Sequence, residues 1–243
     1  MDWQDFAEKM ALLARDLLAQ ESLEATLDRI SSSAVELVEG CDEAGILDLR
    51  KGTVTTLSAH GDRVERSDRL QGRLGEGPCF DAARDTTRGR VYRIHDLTRP
   101  DQRWPRFQPA AHDLGYGSMM GFLLYTRKDD FGALNLYSYR PGAFTAASET
   151  AGWLFASHAA VALASARTQE QLEHALDSRH AIGEAIGILR ERHGLSEADA
   201  FSVLSRISQN HNIKLRDLAH NIRSEDTGNG AGPRRRQDST GPG

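Results

Sequence analysis

The spacing of apolar residues predicts three short amphipathic helices between residues 178 and 223. In the first, positions i, i+3, i+4 and i+7 share one helical face: Ile182, Ala185, Ile186 and Leu189. Gly194 predicts its end, and Ser196 with Asp199 three residues later forms a variant capping box that starts the second helix. The other two stripes are Ala200, Phe201, Leu204, Ile207 and Ser208, and then Leu215, Leu218, Ala219 and Ile222. Three such stripes can close one small core.

A long helix is predicted from about Ala146 to Arg192, because apolar or small residues recur there at every seventh position. These positions are Leu154, Val161, Thr168, Ala175, Ile182 and Leu189. Such a repeat is typical of paired helices, although the companion positions four residues later include polar side chains, which indicates a weak and switchable pairing. A single helix packed on its own domain is the alternative. A further amphipathic helix is predicted for residues 1–20, and we expect it to pack in one bundle with the long helix. Its apolar side consists of Trp3, Phe6, Met10, Leu13 and Leu17.

The pattern changes to short β-rich runs between residues 41 and 145. AGILDL and TVTTLSA are separated by a turn, and SMMGFLLYT and FGALNLYSY form a second such pair around Arg127 to Asp130. Because the paired runs are neighbours in sequence, we expect an antiparallel sheet, with the helix from Leu23 to Val38 covering one face. The fold class is therefore α+β.

Charge is distributed unevenly along the chain. Residues 178–223 hold seven basic and five acidic residues, whereas the whole chain has a formal net charge of −5. This asymmetry fits a polyanion-binding segment attached to an acidic domain, although the excess of basic residues is small. Two cysteines are too few for a disulfide scaffold. The acidic start does not resemble a signal peptide and no apolar run is long enough to cross a membrane, so we expect a cytoplasmic protein.

The C-terminal helices carry a family resemblance. IGEAIGILRERHGLSEADAF followed by SQNHNIKLRDLA resembles the ANTAR domain of transcription antitermination regulators over about 45 residues. Ile186 stands where that family usually has lysine and Arg190 where it usually has methionine, so we expect Arg190 to restore the charge one helical turn away. Five other motif positions are interpreted as close helix packing, with Gly187 admitting a neighbouring backbone: Ala185, Gly187, Ala200, Phe201 and Ala219.

The resemblance implies binding to RNA, in the form of paired stem-loops in nascent transcripts. Cationic side chains suit backbone phosphates, and polar groups at helix starts suit the edges of splayed loop bases. We expect the RNA-binding residues to be Arg179, Arg190, Arg206, Gln209, Lys214 and Arg216. No catalytic group is needed for this function, and we predict that the protein is not an enzyme.

Residues 22–165 resemble the GAF family of sensor domains. The resemblance is carried by GPC at 77–79, RWP at 103–105 and GALNLYS at 132–138, in that order. It implies a small-molecule ligand held between the sheet and a lid from Gly72 to Tyr116, and Cys79, Trp104 and Tyr116 are the candidate ligand-binding residues. The signature of cyclic-nucleotide-binding members is missing after Leu134, so the signal is an unidentified small molecule or a redox change. Neither a cofactor nor a metal site is predicted.

These expectations divide the chain into four parts. Residues 1–20 form a helix, 21–165 a GAF sensor domain, 166–223 an ANTAR domain with a coiled-coil-like connecting helix at 146–178, and 224–243 a disordered tail rich in Gly, Ser, Pro and charge. We expect a homodimer that binds RNA and has no membrane partner. Two other functions fit less well: a DNA-binding regulator, and a thiol enzyme similar to free methionine sulfoxide reductases with Cys79 as its nucleophile.

Overall fold

The computed structural model describes residues 2–50, 52–84, 91–99, 103–126 and 130–229. Its internal contacts divide the chain into two compact units, Met1–Glu170 and Gln171–Gly243. Among the described residues, no helix combines the length and apolarity that crossing a bilayer requires.

The first unit begins with two helices, and in the described part of the chain five strands with three short helices between them follow. Its elements are α1 (Trp3–Leu18), α2 (Leu23–Leu37), β1 (Glu43–Arg50), β2 (Thr53–His60), α3 (Val64–Leu74), α4 (Pro78–Arg84), β3 (Val91–Ile94), α5 (Phe107–Asp113), β4 (Ser118–Tyr125) and β5 (Asp130–Ser138). Helix α6 (Ala146–His193) starts in the first unit and ends in the second, where α7 (Glu197–His211) and α8 (Leu215–Asn229) follow.

Within the described residues, five strands form one antiparallel sheet in the order β2-β1-β5-β4-β3. Both predicted hairpins are present, with Asp48 opposite Thr55 in the first and Phe122 opposite Leu134 in the second. The α+β class with an antiparallel sheet, a long helix and short C-terminal helices is thereby confirmed. The second hairpin's predicted turn includes residues 127–129, which lie outside the described residues.

The two faces of the sheet support two separate cores, because successive residues of a strand point to opposite sides. Leu134 and Leu136 of β5 pack against the layer formed by α1, α2 and α6, while Ala133 and Tyr137 belong to a second apolar cluster. That second cluster includes residues of α3, α4 and α5. A helical layer therefore covers each face.

Helix α1 shows how sequence produces this packing. Asp2 caps the helix by accepting from the backbone N–H of Gln4 at 2.9 Å. The predicted apolar side is buried except for its first member: Phe6, Met10, Leu13 and Leu17 are covered, and Trp3 remains 45% exposed. Burying such side chains contributes roughly 1.5–3 kcal/mol each, so this face holds α1 on the domain.

The second unit closes a small core between the last turns of α6 and helices α7 and α8. Its fully buried residues are Ala181, Ala185, Leu204 and Ala219, and the partly buried residues around them are Ile182, Leu189, Leu215, Leu218 and Ile222. Gly194 ends α6 with a positive φ of 65°. Ser196 then caps α7, because its Oγ accepts from the Asp199 N–H at 3.2 Å and donates to Asp199 Oδ2 at 2.7 Å.

Helix α8 continues to Asn229, past residue 224, where we expected the chain to leave regular structure. The remainder of the expected tail, residues 230–243, lies outside the described residues.

Candidate functional site

Arg179 and Arg190 lie on the same side of α6, about three turns apart, and both are exposed. Arg190 Nη1 is 4.0 Å from Glu197 Oε2 at the start of α7. Both partners of this pair are more than half exposed, so it contributes little to stability and can be exchanged for another anion.

The remaining predicted contacts surround the turn between α7 and α8. Arg206 and Gln209 are exposed on α7, and Lys214 and Arg216 are exposed at the start of α8. Asn212 makes the turn possible, because it adopts a left-handed conformation with φ 51° that asparagine tolerates better than most residues. Arg216 Nε is 3.2 Å from Asp217 Oδ1 in its own helix.

Several of these cations have no acidic partner. Within the part of the chain that the structure describes, Arg179, Arg206 and Lys214 form no ion pair. Glu184, in contrast, is engaged by Arg223 Nη1 at 3.2 Å and by His180 Nε2 at 3.1 Å. The helical unit therefore presents individual exposed cations that its described acidic side chains do not pair with, and such cations can contact phosphates.

Two packing interpretations of the helical motif are wrong. A Cβ on Gly187 meets nothing within 4 Å, so this glycine admits no neighbouring backbone within the described chain. Phe201 is 46% exposed and lies outside the small core. The core forms on the side of α7 that carries Ala200 and Leu204, and the 100° rotation per residue turns the next position towards solvent.

Ile186, which replaces the usual lysine of the motif, is half-buried and also lies outside that core. The predicted stripe of the first helix is therefore rotated slightly, with Ala181 taking the buried place that we expected for Ile186.

In the first unit, the structure brings all three candidate ligand residues into one apolar cluster. Cys79 on α4, Trp104 before α5 and Tyr116 before β4 are each at most 3% exposed. This cluster fills the space between the sheet and α3, α4 and α5. More than half of the described residues in the predicted lid from Gly72 to Tyr116 lie in helices or a strand, and residues 85–90 and 100–102 of the lid lie outside the described residues.

Cys79 has the environment of a packed thiol. Its Sγ–H donates to Asn135 Oδ1, and its backbone N–H donates to Gln71 Oε1 at 3.1 Å. Burial, followed by the nearby Asp68 carboxylate, raises the pKa of the thiol well above its ordinary value. A thiolate nucleophile is disfavoured under those conditions, which counts against the thiol-enzyme reading.

Trp104 and Tyr116 are each anchored by a carboxylate. Trp104 Nε1–H donates to Asp81 Oδ2 at 3.0 Å, and the Tyr116 hydroxyl donates to Glu43 Oε2 at 2.5 Å. The Tyr116 ring also stacks on Tyr137 with centroids 4.4 Å apart. Burial, followed by the hydrogen bond to Glu43, raises the pKa of Tyr116.

Asp68 is a candidate functional residue that the sequence pattern does not reveal. Its carboxylate is fully buried on α3 and accepts from Thr56 Oγ1 at 2.8 Å, Asn135 Nδ2 at 3.2 Å and the Tyr137 hydroxyl at 3.3 Å. Burial raises the pKa of Asp68 to about 6, against the lowering effect of these hydrogen bonds. The structure therefore places beside Cys79 a carboxyl group whose charge changes around pH 6.

Cavities lie in the helical layer on the other side of the sheet. One of about 370 Å³ runs between α1 and α2 and is lined by Lys9, Leu12, Leu13, Asp16, Arg29, Ser33, Glu36 and Leu37. Another of about 370 Å³ lies between α1 and α6. Neither cavity is lined by Cys79, Trp104 or Tyr116. The described residues contain no group of three or more His, Cys, Asp or Glu side chains that could hold a metal ion.

Comparison with known proteins gives two family matches. The model of the GAF domain matches residues 20–164, and the model of the ANTAR domain matches residues 170–222. A search of the curated proteins found no match to this chain.

Solved structures share the fold of the first unit. The GAF domain of a phosphoenolpyruvate-protein phosphotransferase from Acinetobacter is 15% identical with a TM-score of 0.52, covering 68% of this chain and 97% of that one. The corresponding domain from Coxiella burnetii is also 15% identical, with a TM-score of 0.54 and coverage of 70% and 99%.

A bacteriophytochrome from the photosynthetic bacterium R. palustris is 12% identical, with a TM-score of 0.56. The match covers 83% of this chain and 46% of the bacteriophytochrome, so the chain spans less than half of that protein. Identities this low establish a shared fold and nothing about ligands or activity.

Proposed function

Because the chain belongs to the GAF domain family and also contains an ANTAR domain, we propose that it is a signal-dependent transcription antitermination regulator that binds stem-loops in nascent RNA. ANTAR is an RNA-binding antitermination domain and GAF is a sensor domain, so the pair forms a regulatory architecture. We assign the sensor to residues 21–165 and the RNA reader to residues 166–223. The protein acts in the cytoplasm, where nascent transcripts are available.

The observation that carries this proposal is the set of exposed cationic side chains on the matched helical unit. Arg179, Arg206 and Lys214 are exposed and form no ion pair among the described residues. Arg190 and Arg216 hold only exposed acidic partners, which phosphates can displace. Gln209 adds an exposed amide beside the turn that can read a base edge. Together these six side chains supply backbone contacts and polar readout without a catalytic group.

The test is a binding competition with a defined probe. An RNA with two adjacent stem-loops is selected by the wild-type protein from a pool with randomised loops, and its affinity is measured over a salt series against the same sequence as DNA. We expect the RNA to bind more tightly and its affinity to fall with salt, because cations that meet phosphates release counterions. Failure to select any RNA, or equal binding of the DNA, would remove the proposal.

Variants locate the contact surface in the same assay. Arg206→Gln with Lys214→Gln should weaken binding and make the salt dependence shallower by about two phosphate contacts. Arg15→Gln on α1 is the matched control, because that arginine is exposed in the first unit and outside the proposed interface. An equal loss with the control would point to general charge attraction.

For the sensor, we propose that the signal acts on the cluster of Cys79, Trp104 and Tyr116. These side chains lie between the sheet and α3–α5 and are closed to solvent, so a small molecule enters only if this helical layer opens. A redox signal would also need that opening, because the buried Cys79 thiol has a raised pKa. Hydrogen exchange of the backbone amides in α3 and α5 tests this proposal. We expect a true ligand to increase the protection of these amides. A candidate compound that leaves their protection unchanged is not the signal.

We further propose a homodimer paired along α6. Residues 171–177 of this helix are exposed on every side, and they include Leu172 at 61% and Leu176 at 56% exposure. A helical segment with no packed face has little stability of its own, and leucines on it gain most from a partner helix. The seven-residue repeat through Ala175 favours a second copy as that partner.

A further inference from the structure

Phe201 is in an unusual place for an aromatic residue of a small domain. Aromatic side chains normally supply much of the buried area of a core, yet 46% of Phe201 is exposed. Among the described residues, three of the four fully buried members of the core beside it are the much smaller Ala181, Ala185 and Ala219. The sequence therefore keeps a large apolar ring at the surface while alanines occupy most of the fully buried positions.

A cationic side chain, Arg190, lies near the N-terminal end of the α7 side that carries Phe201. Glu197 precedes Phe201 by about one turn on that side, and Arg190 Nη1 of α6 lies 4.0 Å from the Glu197 carboxylate. This pair is exposed and weak, so Arg190 is available to another anion near the Phe201 ring.

A second cation, Lys214, lies beyond the C-terminal end of α7. Ser208 lies on the same side of α7, about two turns after Phe201. Its hydroxyl donates to the carbonyl of Ile213 at 2.6 Å, and its own carbonyl accepts from the Ile213 N–H at 3.0 Å. These bonds hold Ile213, which is 39% exposed, against the end of α7, and the exposed Lys214 follows directly.

An exposed ring between two cations is complementary to single-stranded nucleic acid. Bases that are splayed from an RNA loop stack on aromatic side chains, and the phosphates on either side contact Arg or Lys. A purely apolar protein partner would cover Arg190 and Lys214 without offering an anion to either charge, so this arrangement favours RNA.

We propose that Phe201 is the platform on which an unpaired RNA loop base stacks, with Arg190 and Lys214 contacting the phosphates that flank it. This inference rests on the proposed RNA binding and adds a residue that none of the predicted cationic contacts supplies. Phe201 provides affinity for an unstacked base, which a fully paired duplex does not offer.

The test uses the full-length protein and the two-hairpin RNA selected above, with 2-aminopurine placed in turn at each loop position. Phe201→Leu keeps apolar volume and removes the aromatic face, Phe201→Trp keeps an aromatic face, and Ser202→Ala is the control at the neighbouring exposed position. We expect Phe201→Leu to weaken binding by about 5- to 100-fold, because stacking of one base on an aromatic ring has that effect when it is lost. Phe201→Trp and Ser202→Ala should bind within a few-fold of wild type.

One loop position should also report the contact directly. Its 2-aminopurine fluorescence should change on binding wild-type protein or Phe201→Trp, and the change should be absent with Phe201→Leu. Circular dichroism melting of each variant separates this effect from unfolding, since a half-exposed side chain is expected to alter the melting temperature only slightly.

The outcomes distinguish this inference from the proposed function. If wild type selects no RNA, the proposed function fails. If wild type binds RNA and Phe201→Leu binds equally well, RNA binding stands and the stacking inference is overturned. If Phe201→Leu leaves RNA affinity intact and instead changes the sedimentation coefficient, Phe201 belongs to a protein interface and the inference is again overturned.

Discussion

A single buried carboxylate has the clearest pH-dependent consequence. Asp68 is fully buried, is held by three hydrogen-bond donors and has no ion pair within the described residues. Burial raises its pKa from 3.8 to about 6, so the folded protein binds this proton more tightly than the unfolded chain. Its contribution to stability is therefore fully present below about pH 4 and is lost as pH rises through about 6.

We predict that Asp68→Asn removes this dependence. The difference in free energy of unfolding between wild type and variant should change by on the order of 2 kcal/mol between pH 4 and pH 7, with wild type losing stability as pH rises. Urea unfolding across that range measures it, and Asp113→Asn at an exposed position of α5 is the control. Parallel curves for wild type and Asp68→Asn would show that the carboxylate is charged throughout.

Gly187 allows a second prediction at this scale. It lies inside α6, is exposed, and a Cβ there meets nothing within 4 Å. Glycine in a helix interior is less favourable than alanine by about 1 kcal/mol, so Gly187→Ala should raise the free energy of unfolding of the helical unit by up to that amount. Denaturant unfolding followed by circular dichroism measures the change. A loss of stability would mean that another backbone approaches Gly187, as the sequence motif first suggested.

The sequence predicts buried residues on apolar helix faces but does not predict buried residues that are polar. The apolar faces of α1 and of the last turns of α6 follow helical periodicity, and their buried residues were largely anticipated. Helix α3 buries Val64, Ser67, Asp68 and Gln71 at helical spacing, but three of these are polar. A hydrophobic pattern cannot reveal such a face, because its burial depends on partners supplied by strands far away in sequence. Asp68 was missed for that reason.

At the scale of elements, the sheet was predictable because its hairpins join strands that are neighbours in sequence. Both hairpins and the long helix are present. The helices over the second face, α3, α4 and α5, were expected only as a lid, since two of them are short and α3 lacks an apolar stripe. The candidate ligand residues were nevertheless brought together, because the strands and these helices converge on one apolar cluster.

Helix α6 carries the prediction about pairing. Leu172→Gln with Leu176→Gln should weaken the homodimer roughly tenfold or more, since each change removes apolar surface that a partner helix would bury. Glutamine retains helix propensity, so the helix itself should remain. Sedimentation over a concentration series measures the dimer, and His174→Gln is the matched control on the same exposed segment. A wild-type protein that is monomeric at every concentration would contradict the pairing.

At the scale of the whole molecule, the chain combines two compact units that differ in charge, because the second unit holds ten basic and ten acidic residues and the first therefore carries the whole formal net charge of −5. The overall formal charge is −5, whereas residues 178–223 carry more basic than acidic side chains. Each unit has its own core, so each can respond to its own ligand. This organisation supports a division into a sensing unit and an RNA-reading unit.

The central claim is that binding to RNA changes transcription past a terminator. Single-round transcription in vitro, on a template with the selected two-hairpin sequence upstream of a terminator, measures that effect most directly. We predict that wild-type protein raises read-through once the sensor is in its active state, and that Arg206→Gln with Lys214→Gln does not. If the protein binds the nascent RNA and read-through stays unchanged, the antitermination account is contradicted.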